Sequence, residues 1–301
     1  MADEGFHEGE LAVQDRAGVR AQAKRLGGAM LAVPDLSGGI GSFLADRDFA
    51  VITARDDDRR LWISPLLAPV GFLEARDRTL RIHTTPRRGD PLHGLAPGQP
   101  VGVLAIEFAT RRRVRVNGIL TRTGADGLEL SVDQAFGNCP KYIQQRHLER
   151  IERGDTGHVE RSDRLSGEHI ELIRRADTFF LGTVHPTRGA DASHRGGPPG
   201  FVRVENGQLW WPDYPGNNMF NSFGNLESDK TAALLFVDYD NGVTLHLSGT
   251  ATVEWTAAGI AGDDGGTGRR VRFAVEAIAY GPLLGIHSDA PQPSPHNPPM
   301  T

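Results

Sequence analysis

The chain holds a single cysteine, Cys139. One thiol cannot close a disulfide within the chain, cannot form a paired redox motif, and cannot build a thiolate metal cluster; its scarcity fits a reducing compartment. Basic residues do not dominate either. Lys and Arg number 33 against 38 Asp and Glu, a formal net charge of −5, so the broad positive field of a nucleic-acid-binding protein is missing. Long apolar runs are absent: no stretch approaches the roughly 20 residues that cross a bilayer as a helix. The opening MADEGFHEGE is acidic and has no apolar centre, unlike a secretory signal. The expectation is a cytoplasmic protein that engages neither nucleic acid nor membrane. Several catalytic signatures are also missing. The 11 histidines form no H-E-x-x-H and no C-x-x-C-H, which removes zincin and c-type haem patterns. Neither G-x-S-x-G nor G-x-x-x-x-G-K-[ST] occurs, which removes the nucleophile elbow and the P-loop.

What the sequence does contain is itself, twice. With 39% hydrophobic and 24% charged residues over 301 positions, it suits two ordinary globular domains. FAVITARDDDRRLWISPLLAPVGFLEARDRTLRI aligns with FFLGTVHPTRGADASHRGGPPGFVRVENGQLWW. Phe49 matches Phe179 at a separation of 130, and Ser64 with Ser193 and Phe72 with Phe201 match at 129. Leu104 then matches Leu234 at 130 and Gly118 matches Gly249 at 131. VDQAFGNCP resembles VEAIAYGP beyond an insertion containing GIAGDDGGTG. A near-constant separation over so long a stretch marks a repeat.

The expected organisation is an N-terminal helical segment (1–29), a first domain (30–147), a linker (148–162), a second domain (163–290) and a disordered proline-rich tail (291–301). GELAVQDRAGVRAQAKRL reads as a helix. In SGEHIELIRRAD, Ser166 is a candidate N-cap, with Glu168 in the first turn and Arg174 and Arg175 in the last. Elsewhere, short runs of Val, Ile, Leu, Phe and Thr are split by Gly, Pro, Asp and Asn. That pattern predicts a mainly β fold with flanking helices, each repeat a small antiparallel barrel.

One connection is unusual. PDYPGNNMFNSFGNL, Pro212 to Leu226, joins the strand-like GQLWW to TAALLF and is rich in Asn and Gly. Long ordered loops are often functional, and this one is equipped to hold something polar. The alternative is a loop whose amides satisfy their own backbone through Asx-turns. RRRVRVNG alternates Arg113 and Arg115 with Val114 and Val116, which fits either a basic binding strand or a charged edge strand. GNCPKYIQQR reads as a packing segment with Cys139 as a small hydrophobe. His194 reads as a surface or supporting histidine.

These stretches, together with FHEGELAVQ and ASHRGGPPGFVRV, resemble the flavin-nucleotide-binding proteins related to pyridoxamine 5′-phosphate oxidase. The resemblance implies tandem FMN-binding split β-barrels forming an internal pseudo-dimer, with FMN at the interface between barrels. It implies cofactor-binding roles for Ser193, His194, Arg195, Phe201, Val202, Pro212, Asp213, Asn217, Asn218 and Ser222, with Arg113 and Arg115 from the other half. It points to a flavin-dependent oxidoreductase acting on a small-molecule substrate or electron donor. It leaves open a carrier or sensor without turnover, a haem- or deazaflavin-binding relative, and further homodimerisation. No catalytic acid or base and no metal ligand is assigned. A tandem chain would have two composite sites. One sets the asparagine stretch against Arg113, Arg115, Lys141 and Arg146; the other sets HTTPRRGDPLHG against GVTLHLSG and has lost the basic strand. The expectation is one FMN per chain.

Overall fold

The computed structural model of the chain describes residues 5–30, 35–152 and 158–300. The N-terminal segment forms two helices, α1 (Glu8–Arg16) and α2 (Arg20–Met30), where the sequence pattern suggested one. They part at Gly18, whose φ of +69° lies in the left-handed region that glycine reaches without penalty. His7 caps α1: its ring accepts from Gly9 and Glu10 N–H, and the Glu10 carboxylate accepts from His7 N–H at 2.9 Å.

The first repeat contains α3 (Gly39–Ala45), β1 (Phe49–Arg55), β2 (Leu61–Leu67), β3 (Leu73–Arg76), β4 (Thr79–Ile82), β5 (Pro100–Glu107), β6 (Arg112–Gly124) and β7 (Gly127–Gly137). Two short strands follow, β8 (Leu148–Arg150) and β9 (Glu160–Ser162). The second repeat contains α4 (Gly167–Arg175), β10 (Thr178–His185), β11 (Gly189–Gly196), β12 (Arg203–Glu205), β13 (Gln208–Pro212), α5 (Asn221–Ser228), β14 (Thr231–Asp238), β15 (Val243–Trp255) and β16 (Arg269–Gly281). Last comes β17 (Ile286–Ser288). Ser166 caps α4, its hydroxyl accepting from His169 N–H.

The two large antiparallel sheets have one topology. Their strand orders are β2-β1-β5-β6-β7-β4-β3 and β11-β10-β14-β15-β16-β13-β12. Even a β-bulge recurs, at Asn117/Gly118 and again at Ser248/Gly249. The fold is thus a tandem of split barrels. The registers refine the sequence alignment. Aligning the bulges sets Arg115 against His246; their partners Leu104 and Leu235 then correspond, and so do Val51 and Phe180, which pair with those leucines. The Phe49–Phe179 and Leu104–Leu234 matches are each one residue out, whereas Ser64–Ser193 holds, since each serine pairs with the residue after Val51 or Phe180.

That slip reverses which face a side chain takes. Ala50 and Ile52 fill the first barrel and Phe179 and Leu181 the second, while Phe49, Val51 and Phe180 lie in a third cluster between the barrels. The Phe49 and Phe180 rings are 5.9 Å apart. Strands β1 and β10 are therefore buried on both faces, and each fully buried large apolar side chain contributes about 1.5–3 kcal/mol. The contacts are reciprocal: β5 packs on β11 and β14 on β2, as in a two-fold dimer. Near the pseudo-axis a Cβ on Gly182 would collide with the side chain of Thr53, its own counterpart, so glycine here permits the close approach.

The connecting and terminal segments also differ from expectation. Within the expected linker, β8 pairs with β17 and β9 with β16; 153–157 lie outside the described residues. The tail, expected to be disordered, is held by the first repeat. Gln145 bridges Gln292, and the buried Gln144 accepts from Ser294 N–H at 2.7 Å and from the Asn297 amide at 3.0 Å. Proline-rich composition does not prevent order where side-chain amides satisfy the backbone.

Candidate functional site

Strand β6 lies between β5 and β7. RRRVRVNG is therefore not an edge strand, and Arg113 and Arg115 project from a paired backbone towards the second repeat, whereas Arg112 lies over the Phe43 ring of the first. Arg115 is buried. Its Nε donates to the Ala192 carbonyl at 3.0 Å and lies 2.9 Å from Asp191 Oδ1. Arg113 donates through Nη1 to His194 Nδ1 at 2.8 Å and through Nη2 to the Cys139 carbonyl at 2.9 Å. Both guanidiniums thus reach across the pseudo-dimer interface.

The segment after β7 turns at Tyr142, whose φ is +66°. Its hydroxyl donates to the Pro215 carbonyl at 2.9 Å, and its ring sits 5.0 Å from that of Tyr214. The second repeat supplies the other wall: the end of β11, the end of β13 and the asparagine stretch.

The asparagine stretch is half helix. Phe220, with φ 61° and ψ 29°, is the left-handed residue from which α5 starts. Its amides divide between two tasks. Asn217 accepts from Met219 N–H at 3.2 Å, the Asx-turn that composition allowed. Asn221 donates to the Glu10 carboxylate, Asn218 donates to Gln22 at 3.1 Å, and Asn225 donates to Thr183 at 2.9 Å. Asn221 and Asn218 therefore tie the stretch to α1 and α2. A Cβ on Gly224 would meet the Glu10 backbone, so α1 and α5 touch where glycine leaves room.

These elements enclose a cleft of about 910 Å³, part of it open to solvent. From β6, Arg113 and Arg115 line it, and from β11, Ser193, His194 and Arg195. Phe201, Pro212 and Asp213 line it too, as do Asn217, Asn218 and Ser222. Val202 does not; it is buried in the core of the second barrel. Lys141 is in the lining, but Arg146 is not: it pairs with Asp177 at 2.6 Å and lies over the Tyr239 ring at 4.3 Å. His194 is buried rather than superficial, and Cys139 is half-buried in the lining rather than in a core. Sequence reasoning missed Asn138, Tyr142, Tyr214 and Phe220. Their proximity to quoted motifs was the only available signal.

The carboxylates here are occupied. Asp191 faces Arg115 and accepts from Ser222 Oγ at 3.2 Å; Asp213 pairs with Arg269 at 2.9 Å. The cations outnumber them. Burial, then the neighbouring Arg115 and Arg195, pulls Arg113 down to about 9, still protonated at neutral pH. Burial and the nearby guanidiniums hold His194 well below its ordinary range, so it is neutral. Since Nδ1 accepts from Arg113, the proton sits on Nε2.

Five lining residues each hold a buried polar atom without a hydrogen-bond partner: Arg113 Nε, Asn138 Nδ2, His194 Nε2, Arg195 Nε and Tyr214 Oη. Four are N–H donors and the fifth is a hydroxyl. Buried donors left unmatched cost about 1–3 kcal/mol each. The unmet groups in this lining are donors, so the site is short of acceptors.

Residues 165–261 match the family model described as pyridoxamine 5′-phosphate oxidase. Over those residues the second repeat is similar to that oxidase family, with a split-barrel strand order. The cleft's β11, β13 and α5 walls all fall within the matched region, and the first repeat copies its strand order. No curated protein matches the sequence significantly. Among solved structures, HupZ of Group A Streptococcus is 15% identical, with 37% of this chain and 90% of that chain covered at a TM-score of 0.31. HutZ, the heme storage protein of Vibrio cholerae, is 13% identical over 39% and 95%, at 0.30. A Clostridium acetobutylicum protein related to general stress protein 26 is 18% identical over 40% and 91%, at 0.29. These low scores carry no functional inference.

Proposed function

We propose that the cleft binds FMN and that the protein is a flavin-dependent oxidoreductase, passing hydride or electrons to or from a small molecule. The observation that carries this reading is the set of unmatched donors around the cleft, in a lining with Arg113, Arg115, Arg195 and Lys141. A phosphorylated ring system with several carbonyl and ring-nitrogen acceptors matches that set. Arg113, Arg195 and Lys141 would meet the phosphate, where each charge-assisted hydrogen bond is worth about 1.5–3 kcal/mol. Tyr142, Tyr214 and Phe220 offer apolar faces to the ring. The bound flavin would supply the redox chemistry, and the protein its position and electrostatics. Asp191 and Asp213 are tied to arginines and are not poised as a general acid or base.

Haem fits less well. The one histidine in the lining has Nδ1 engaged by Arg113, which leaves the proton on Nε2 and no lone pair for iron. A carrier without turnover uses the same site and differs only in whether a donor is consumed.

Ligand released from purified or reconstituted protein, identified by mass spectrometry, tests the proposal. FMN is the expected result, because the sequence has no Rossmann G-x-G-x-x-G in a strand-turn-helix setting for a dinucleotide. FAD alone, a deazaflavin, or no flavin after reconstitution would overturn it. Consumption of a reduced nicotinamide or other donor by the loaded protein then separates the oxidoreductase from the carrier.

A further inference from the structure

The pseudo-two-fold that builds the cleft also builds its counterpart, from β2 and the loop after β4 in the first repeat and β15 in the second. The registers place Ser64 where Ser193 stands and His246 where Arg115 stands. The interface contact repeats as well. Arg115 Nε donates to the Ala192 carbonyl at 3.0 Å, and His246 Nδ1 donates to the Ile63 carbonyl at 3.0 Å. Ala192 and Ile63 are the residues just before the two serines.

Where the cleft has Arg115 the counterpart has His246, and beside it a carboxylate. Asp90, on the loop after β4, is 4% exposed. Its Oδ1 accepts from Ser64 Oγ at 2.6 Å and from Leu92 N–H at 2.8 Å. Its Oδ2 lies 3.8 Å from His246 Nε2, an electrostatic neighbour rather than a hydrogen bond, since that nitrogen is 3.0 Å from Thr244 Oγ1. Arg161 closes over the loop, donating to the Gly89 carbonyl at 3.3 Å. The contact to Leu92 alone would make Asp90 an ordinary Asx-turn. The contacts to Ser64 and His246, one from each repeat, are not part of a turn; they are the counterparts of cleft residues.

We infer that Asp90 is an internal ligand: its carboxylate fills, at Ser64, the position that the cleft leaves open at Ser193, so the second composite site takes no external anion while Asp90 is present and binds a small carboxylate once Asp90 is removed. This follows from the pseudo-symmetry and the hydrogen bonds, and does not require that the first cleft hold a flavin.

The test is thermal unfolding of the full chain without added flavin, as native protein, Asp90→Ala and Asp90→Asn, in sodium formate against sodium chloride at equal ionic strength and neutral pH. Asp90→Ala should melt below the native protein. Formate should raise its midpoint by several degrees, saturably, and leave native and Asp90→Asn unmoved, since a side chain still occupies the position in both. Adding Ser64→Ala to Asp90→Ala should abolish the formate response. If Asp90→Ala does not fold in chloride, recovery of folding in formate is the expected result. A formate response equal in all three proteins, or none in Asp90→Ala, or continued failure to fold in formate while Asp90→Asn folds, overturns the inference.

Discussion

Arg113 of the first repeat donates to Nδ1 of His194 in the second at 2.8 Å, and so decides which nitrogen of that imidazole carries the proton. The histidine is buried among guanidiniums and stays neutral in the folded protein. An unfolded histidine titrates near 6.5. Below that pH the unfolded chain takes up a proton that folded His194 refuses, so its contribution is present above pH ~6.5 and is lost as pH falls. The slope approaches roughly 1.4 kcal/mol per pH unit for the one proton. His194→Gln should flatten the acid limb of stability against pH by that one proton, as read from denaturant midpoints between about pH 4 and 7. An unchanged limb would mean that His194 protonates freely when folded.

Arg113 and Arg115 should separate on mutation. Arg113 faces the cleft with neutral partners, so Arg113→Ala should weaken FMN binding about 10- to 150-fold, for a loss of about 1.5–3 kcal/mol, with little loss of stability. Arg115 neutralises buried Asp191. Arg115→Ala leaves that carboxylate unpaired and should destabilise the fold by about 3–5 kcal/mol. Flavin titration beside urea unfolding distinguishes the two, and equal stability losses would contradict the assignment.

Glu10 links the N-terminal helix to the cleft wall through Asn221. Burial pushes its carboxyl up to about 7. A raised carboxyl favours the folded state while protonated. Stability therefore falls as pH rises from the unfolded value near 4.5 through 7, by at most about 3 kcal/mol. Glu10→Gln should remove this decline and be more stable than native protein at pH 8 relative to pH 5. Parallel pH profiles for the two proteins would show that Glu10 ionises without cost.

Flavin should load at one per chain. The cleft has Arg113, Arg195 and Lys141 in its lining, whereas its counterpart has Asp90 against Ser64 and His246. A dianionic phosphate beside a buried carboxylate has no compensation. The ratio of released flavin to protein after saturating reconstitution and desalting measures this; a reproducible value near two would refute it.

The duplication was legible in the chain because strand alternation and a few shared residues, Ser64 with Ser193 and Phe72 with Phe201, lie within single segments. The N-cap at Ser166 and the Asx-turn at Asn217 were legible for the same reason, since a side chain there bonds its own nearby backbone. What lay across repeats was not. Whether β6 was an edge or a central strand depended on β5 and β7 pairing with it. The face taken by Phe49 depended on register. Arg146 belonged to Asp177 rather than to the cleft, and the proline-rich tail was ordered by Gln144. By itself the sequence determined the repeat and the β character, because alternation, capping and turn chemistry act over a few residues; the expected residues that line the cleft came from a resemblance and not from those local rules. Only the tertiary structure decided which arginines reach the cleft, where His194 holds its proton and that Asp90 fills the matching position. Those depend on partners that the pseudo-dimer brings together from the opposite half of the chain.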